Sequence, residues 1–432
     1  MRILDWNSSS SAQQTEALRR PALKDAAGVS IAARDIIERV RREGDAALLA
    51  LTQKFDGVRL ESLAVTKQEF AAAERALTAQ QHAAIERAID NVRRFHAAQV
   101  SLPLRVETSP GVICERFSVP IRAVGLYVPA GSAPLPSTAI MLAVPAALAE
   151  CPVKVMCSAP DRAGDANSAV LVAARKAGVE QIFKVGGAQA IAAMAYGTES
   201  IPKCDKVFGP GNAYVTAAKM QVAQHAGGAA LDLPAGVTEV MVIADEDARP
   251  EFVAADLLAQ AEHSPAAQAI LLTTRQAFAT AVLGEVRRQS AALSRATILA
   301  ESIAAMRLIV VDTLQTAFDI ANSYAPEHLI LEIREARGWL PKISSAGAVF
   351  LGHWSPESLG DYCSGPNHTL PTYGYARSYS GLSLEDFQRR ITVQELTPSG
   401  LKGLGPTASI LAGLEGLDAH AAAVSIRLEA LR

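Results

Sequence analysis

The sequence predicts an α/β protein with two parallel-sheet units, a helical N-terminal part and a C-terminal tail. Two observations carry the prediction. From Ile121 onward, apolar runs of strand length alternate with stretches of helical periodicity, as a parallel sheet covered on both faces requires. The alternation also runs twice, with a break near residues 233 to 238, and 432 residues exceed what one small core holds.

In chain order, the Ser-rich start gives way to two helical stretches, Ala32 to Phe55 and Gln68 to Gln99, and places His82 and His96 on surface-like helices. Residues 102–114 turn to strand-like material. Arg122 to Val128 reads as the first strand of the first unit. After the connection Pro129 to Pro136 comes a helix from Ser137 to Glu150, with Ser137 or Thr138 as its cap. Strands 153–158, 181–187, 206–208 and 229–233 then alternate with helices near 167–177, 188–196 and 213–224. The second unit carries strands 238–244, 268–273, 307–311, 329–332 and 347–351 with helices 251–262, 277–289 and 313–323. Beyond Ser378, a helix at 384–390, a strand at 391–395 and an Ala/Leu-rich helical stretch near 406–428 are too short for a core of their own. They are expected to pack on another surface, such as a second subunit. The resulting division is 1–120, 121–236, 237–378 and 379–432.

Composition narrows the function classes. A net charge of -3 gives no basis for nucleic-acid or membrane-surface binding. The five cysteines form no CxxC pair, which fits a reduced compartment. The opening MRILDWNSSSSAQQ has no signal-peptide core, and no apolar span is long enough for a bilayer, so a soluble cytoplasmic protein is expected.

Ligands of open α/β sheets gather beyond the carboxyl ends of strands. No GxGxxG follows the first strand and no GxxxxGK[ST] occurs, but Gly186-Gly-Ala-Gln189 and Gly209-Pro-Gly-Asn212 follow strands and open helices, where free N–H groups can hold phosphates. Gln260 and His263 share a helix face at i and i+3. With Asp361 and a second imidazole, either His420 or His368, they suit an oxygen- and nitrogen-liganded zinc with room for substrate. In Tyr324-Ala-Pro-Glu-His328, Pro326 biases Ala325 toward an extended conformation. Adjacent residues of an extended chain point to opposite faces, so Glu327 and His328 share one wall only if the turn re-aims one of them, and two proton-transfer groups with separate jobs is one reading of the pair.

Several stretches resemble the histidinol dehydrogenase family, in order and over nearly the whole length: Val124-Gly-Leu-Tyr-Val-Pro129, Val185-Gly-Gly-Ala-Gln-Ala-Ile-Ala192, Phe208-Gly-Pro-Gly-Asn212, Leu258-Ala-Gln-Ala-Glu-His263, Tyr324-Ala-Pro-Glu-His-Leu329, Ser345 to Gly352, Asp361 to Thr372, and Ala419 to Arg427. The resemblance implies two Rossmann-like parallel-sheet domains in an aldehyde-dehydrogenase-like architecture, with the tail as a dimerisation element. It implies zinc-dependent oxidation of L-histidinol through L-histidinaldehyde to L-histidine with two NAD. One zinc per subunit would be held by Gln260, His263, Asp361 and His420 of the partner subunit in a homodimer with shared active sites. His328 would be the general base and Glu327 the activator of water. Thr238 and Glu415 match substrate-contacting positions, and Tyr127, Gln189 and Asn212 match NAD-contacting ones. Cys363, close to Asp361, reads as structural, since nothing nearby marks an activated thiol.

The chain departs from the family pattern twice. Gly236-Val-Thr-Glu239 stands where the family has Gly-Pro-Ser-Glu, which keeps a hydroxyl at Thr238 but adds a methyl and leaves open a different small polar alcohol. Pro129-Ala-Gly131 stands where it has Pro-Gly-Gly, and the Ala130 Cβ argues against a positive φ there.

Overall fold

The computed structural model describes residues 2–21, 26–130 and 133–432; Gly131, in the second of those departures, lies outside them. The first parallel sheet has five strands in the order Gln181–Lys184, Val153–Ser158, Ala123–Tyr127, Lys206–Phe208, Ala230–Leu231. The second has six, in the order Arg2–Asp5, Arg307–Val310, Gln268–Thr273, Glu239–Ala244, His328–Glu332, Ala348–Leu351, and is also parallel throughout. Glu239–Ala244 and Gln268–Thr273 are buried at every position, because helices cover both faces of the sheet.

A third sheet is antiparallel and unites distant segments, Leu104–Ser109, Val112–Pro120 and Gln388–Leu396. It corrects the helix expected at 384–390. Only Leu384–Phe387 is helical, as a 3₁₀ turn, and the chain then pairs with Val112–Pro120 along nine residues. Long-range pairing overrides local periodicity here.

The N-terminal part divides between the two large sheets. Arg2–Asp5 is an edge strand of the second, and Trp6, Ala17 and Leu18 pack against its core. Four helices, Ala26–Glu43, Asp45–Asp56, Lys67–Ala76 and Ala79–Ala97, instead bury Ile37, Leu48, Phe70, Ile89 and Val92 against the first. The single helix expected over 32–55 breaks at Gly44, where φ is 55° and a Cβ would lie 2.2 Å from the Glu199 carboxylate. His96 is fully buried rather than on a surface, its Nδ1 2.9 Å from the Val92 carbonyl.

Two smaller differences concern helix ends. The helix after the first strand of the five-stranded sheet is Pro136–Leu148, with Pro136 in its first turn, so Ser137 and Thr138 lie inside it rather than capping it. Ala296–Ala305 is a helix with no counterpart in the sequence reading. Ala130 is not among the residues with positive φ, in line with its Cβ.

Asp256, on the helix Pro250–Ala261, is 5% exposed. Burial first, and then the Glu332 carboxylate, push its carboxyl up to about 7. The unfolded chain titrates this group near ~3.9, so above that pH the folded state keeps a proton the unfolded state has lost. Stability therefore falls as pH rises from the unfolded pKa through the folded one. Asp256→Asn should raise the thermal midpoint more at pH 8 than at pH 5; an equal shift at both would count against a buried, protonated Asp256.

Candidate active site

The helix Leu314–Tyr324 delivers the Glu327-His328 pair. Ala325 ends that helix in the left-handed region, at φ 53 and ψ 69, with its N–H donating to the Ala321 carbonyl at 2.7 Å. This corrects the extended conformation expected before Pro326: closing the helix overrides the steric preference of a residue before proline. The turn also changes the side-chain geometry. The strand begins at His328, Glu327 stays in the turn, and the two converge, with Nδ1 and Oε2 3.7 Å apart. They stand on one wall rather than on two faces.

Both are buried, and both are anchored to the start of the neighbouring strand. Glu327 Oε2 accepts from Thr238 Oγ1 at 2.6 Å and from the Glu239 N–H at 2.8 Å. Burial pushes the Glu327 carboxyl well above the usual carboxylate range, against the lowering effect of these bonds. His328 Nδ1 lies 3.0 Å from the Glu239 carbonyl oxygen, which can only accept, so Nδ1 carries the proton and Nε2 the lone pair. Nε2 is buried without a hydrogen-bond partner. Burial lowers the pKa of His328, with Asp361 opposing, and so favours the neutral ring.

Around this pair the structure gathers a set of donors. His328 Nε2 is 3.7 Å from Asp361 Oδ1, and His263 Nε2 is 4.0 Å from Asp361 Oδ2. Gln260 Nε2 donates to Thr238 Oγ1 at 2.7 Å, which leaves its buried Oε1 without a partner. His263, Glu357 and Asp361 offer ligand atoms all within 4.8 Å of one another. An imidazole and two carboxylates fit a divalent cation such as zinc, and the unpartnered amide oxygen of Gln260 comes three residues before that imidazole, which stands past the end of the helix rather than on its face.

Glu357 is a residue the sequence reading missed. Its carboxylate is 2% exposed, lies 3.6 Å from His328 Nδ1 and is pushed well up by burial and by Asp361. The available signal was its i, i+4 spacing to Asp361 in the short helix Glu357–Tyr362, which puts both on one helix face.

His368 is taken up elsewhere: Nδ1 is 2.7 Å from the Asp361 carbonyl and Nε2 3.2 Å from Thr138 Oγ1. It lines, with His328, Phe350, Asp361 and Asn367, a cavity of about 330 Å³. Cys363 is half-buried beside the first unit's core, its carbonyl accepting from Asn91. Glu415 and His420 lie elsewhere in the chain. Glu415 caps the helix Pro398–Leu414, His420 is in Asp418–Glu429, and both are exposed.

Tyr127 ends one strand of the five-stranded sheet, and Gln189 and Asn212 follow two others, the strands of Tyr127 and Asn212 being direct neighbours. Tyr127 Oη accepts from the Gly187 N–H at 3.0 Å, and burial pushes the phenol up to about 12. Gln189 is buried. Asn212 caps the helix Ala213–Gln224 by accepting from the N–H groups of Tyr214 and Val215. Between them, Gly209 has φ +120, and a Cβ there would meet the Tyr127 carbonyl oxygen at 2.1 Å, so only glycine lets the two strand ends approach.

The family model described as histidinol dehydrogenase matches residues 18–428. The histidinol dehydrogenase of Xanthomonas axonopodis pv. citri is 56% identical over 428 residues, 99% of each chain. That of Vibrio vulnificus is 52% identical over 431 residues, covering 100% of this chain and 99% of the other. A crystal structure of histidinol dehydrogenase from Elizabethkingia anophelis superimposes with a TM-score of 0.94 at 45% identity, covering 100% of this chain and 98% of that one.

Proposed function

Because the chain belongs to the histidinol dehydrogenase family, and so oxidises histidinol in histidine biosynthesis, we propose that Glu327 and His328 are its proton-transfer residues. The reaction is read as L-histidinol to L-histidinaldehyde to L-histidine, with two NAD accepting the hydrides. The observation that carries this reading is the buried, unpartnered Nε2 of His328, held in one tautomer by the Glu239 carbonyl.

A neutral imidazole with a bare nitrogen is a base positioned before substrate arrives. His328 takes the hydroxyl proton as hydride leaves the alcohol carbon, and again as the hydrated aldehyde is oxidised. Glu327 spends Oε2 on Thr238 and Glu239, which leaves Oε1 to accept the proton of the water that hydrates the aldehyde.

Gln260, His263 and Asp361, with His420 of the partner subunit, would hold zinc. Such an ion would supply a fixed point that orients the substrate. Thr238 and Glu415 are assigned to the substrate, and Tyr127, Gln189 and Asn212 to NAD. In the same reading residues 121–236 and 237–378 are Rossmann-like domains, and 379–432 is the dimerisation tail of a cytoplasmic homodimer with shared active sites. The tail leaves Ile410, Leu411, Leu414 and Ile426 exposed, as a partner-facing surface would. No helix among the described residues is long and apolar enough to cross a membrane.

The test is to count NADH per L-histidinol consumed with metal and after chelation, alongside metal analysis. Two NADH per substrate, about one zinc per chain and loss of activity on chelation are expected. Full activity in a metal-free preparation would sink the zinc assignment. The shared site is tested by mixing His420→Ala chains with His263→Ala chains. Half of randomly exchanged dimers are mixed and each has one intact site, so about a quarter of the unmutated activity should return. No recovery in demonstrated mixed dimers rules out the partner's contribution.

A further inference from the structure

We propose that Arg20, in the segment after the first helix, Ser11–Leu18, is a positioning residue for the oxidation and acts through Glu239 and the Tyr324-Ala325 turn. The inference rests on the reading of Glu327 and His328 given above. Both of those residues depend on one peptide position. The Glu239 N–H donates to Glu327 Oε2 and the Glu239 carbonyl faces His328 Nδ1, at 2.8 and 3.0 Å. A shift of that residue moves Glu327 and His328 together.

The Glu239 side chain has 0% exposure and engages a second set of contacts. Arg20 Nε and Nη2 donate to its two oxygens at 2.5 and 2.9 Å, a fork that fixes both the position and the rotation of the carboxylate. The Tyr373 N–H donates to Glu239 Oε1 at 3.1 Å, and Tyr373 Oη donates to the carbonyl of Pro21, so the same loop holds both partners of the ion pair.

Arg20 also reaches the other anchor of the pair. Nη2 donates to the carbonyls of Tyr324 and Ala325 at 2.8 and 3.4 Å, and the guanidinium lies over the Tyr324 ring at 3.8 Å. Ala325 is the left-handed residue before Pro326, a conformation that persists only where surrounding contacts over-determine it. Arg20 thus bridges the two backbone segments that meet at Glu327 and His328, and it touches neither side chain. A lysine could keep the charge there but not the fork, the stacking and two carbonyl bonds together.

The test compares Arg20→Ala and Arg20→Lys with Glu327→Gln and His328→Asn, in the full-length protein with metal. Rates are measured separately from L-histidinol and from L-histidinaldehyde, and thermal midpoints are recorded. For Arg20→Ala, kcat should fall about 100-fold in both halves, the cost of a displacement remote from the reacting atoms, while KM changes much less. Added guanidinium chloride at non-denaturing concentration should recover about tenfold of that loss, which repair of folding alone does not explain. Arg20→Lys, which keeps the buried charge paired and guards against failure to fold, should lose about tenfold in kcat at a similar midpoint. Unchanged kcat in either folded Arg20 variant, with the Glu327 and His328 variants slow, overturns the role of Arg20 alone. Unchanged rates in the latter two overturn the pair and the positioning role with it.

Discussion

His328→Asn should slow both hydride transfers by about 10²–10⁴-fold, the range over which a positioned general base contributes. In the proposed reading each half ends with a proton leaving an oxygen as hydride departs, first from the alcohol and then from the hydrated aldehyde, with one ring nitrogen serving both. Asparagine can still donate to the Glu239 carbonyl as Nδ1 does, so the fold and the Glu327 contacts should survive. It offers no basic lone pair where Nε2 stands. Single-turnover NADH formation, begun separately from L-histidinol and from L-histidinaldehyde, measures the effect. A loss confined to one half would reject His328 as the base of both.

Glu327→Gln should divide the two halves. The amide oxygen can accept the Thr238 and Glu239 bonds that Oε2 accepts now, so the geometry is kept and only the basicity is lost. Oxidation of the aldehyde should fall by about 10²–10⁴-fold, while alcohol oxidation stays within about tenfold. Aldehyde should therefore accumulate during turnover. Equal losses in both halves would mean that Glu327 does something other than activate water.

The parallel sheets were legible because their strands are buried on both faces and read as continuous apolar runs, as in Glu239–Ala244. The Glu327-His328 pair was legible as a carboxylate beside an imidazole, but not their convergence on one wall. The left-handed turn at Ala325 that unites them depends on helix closure and on contacts from Arg20, far away in sequence. Glu357 was hidden for a related reason: a glutamate early in a short helix looks like a solvated helix start until Asp361, His263 and His328 surround it. His96 illustrates the reverse error, a polar side chain in an amphipathic helix that is buried with its Nδ1 on the Val92 carbonyl. The antiparallel sheet escaped because its strands Val112–Pro120 and Gln388–Leu396 find each other only across most of the chain.

The edge strand Arg2–Asp5 has a consequence for the order in which the molecule assembles. It lies in register with Arg307–Val310, so during synthesis it waits through most of the chain for its neighbour. The strands of the five-stranded sheet all fall between Ala123 and Leu231 and can pair well before that. Pairings of such sequence separation are the slow ones, since the intervening loop must be closed before any contact repays it. Arg20 travels with this early segment and meets Glu239 and Tyr324 only when the second sheet completes. The first unit is itself completed late, since Leu382, Leu384 and Phe387 belong to its core, and on the reading proposed above the Arg20 clamp on the Glu327-His328 pair arrives with one of the last joins.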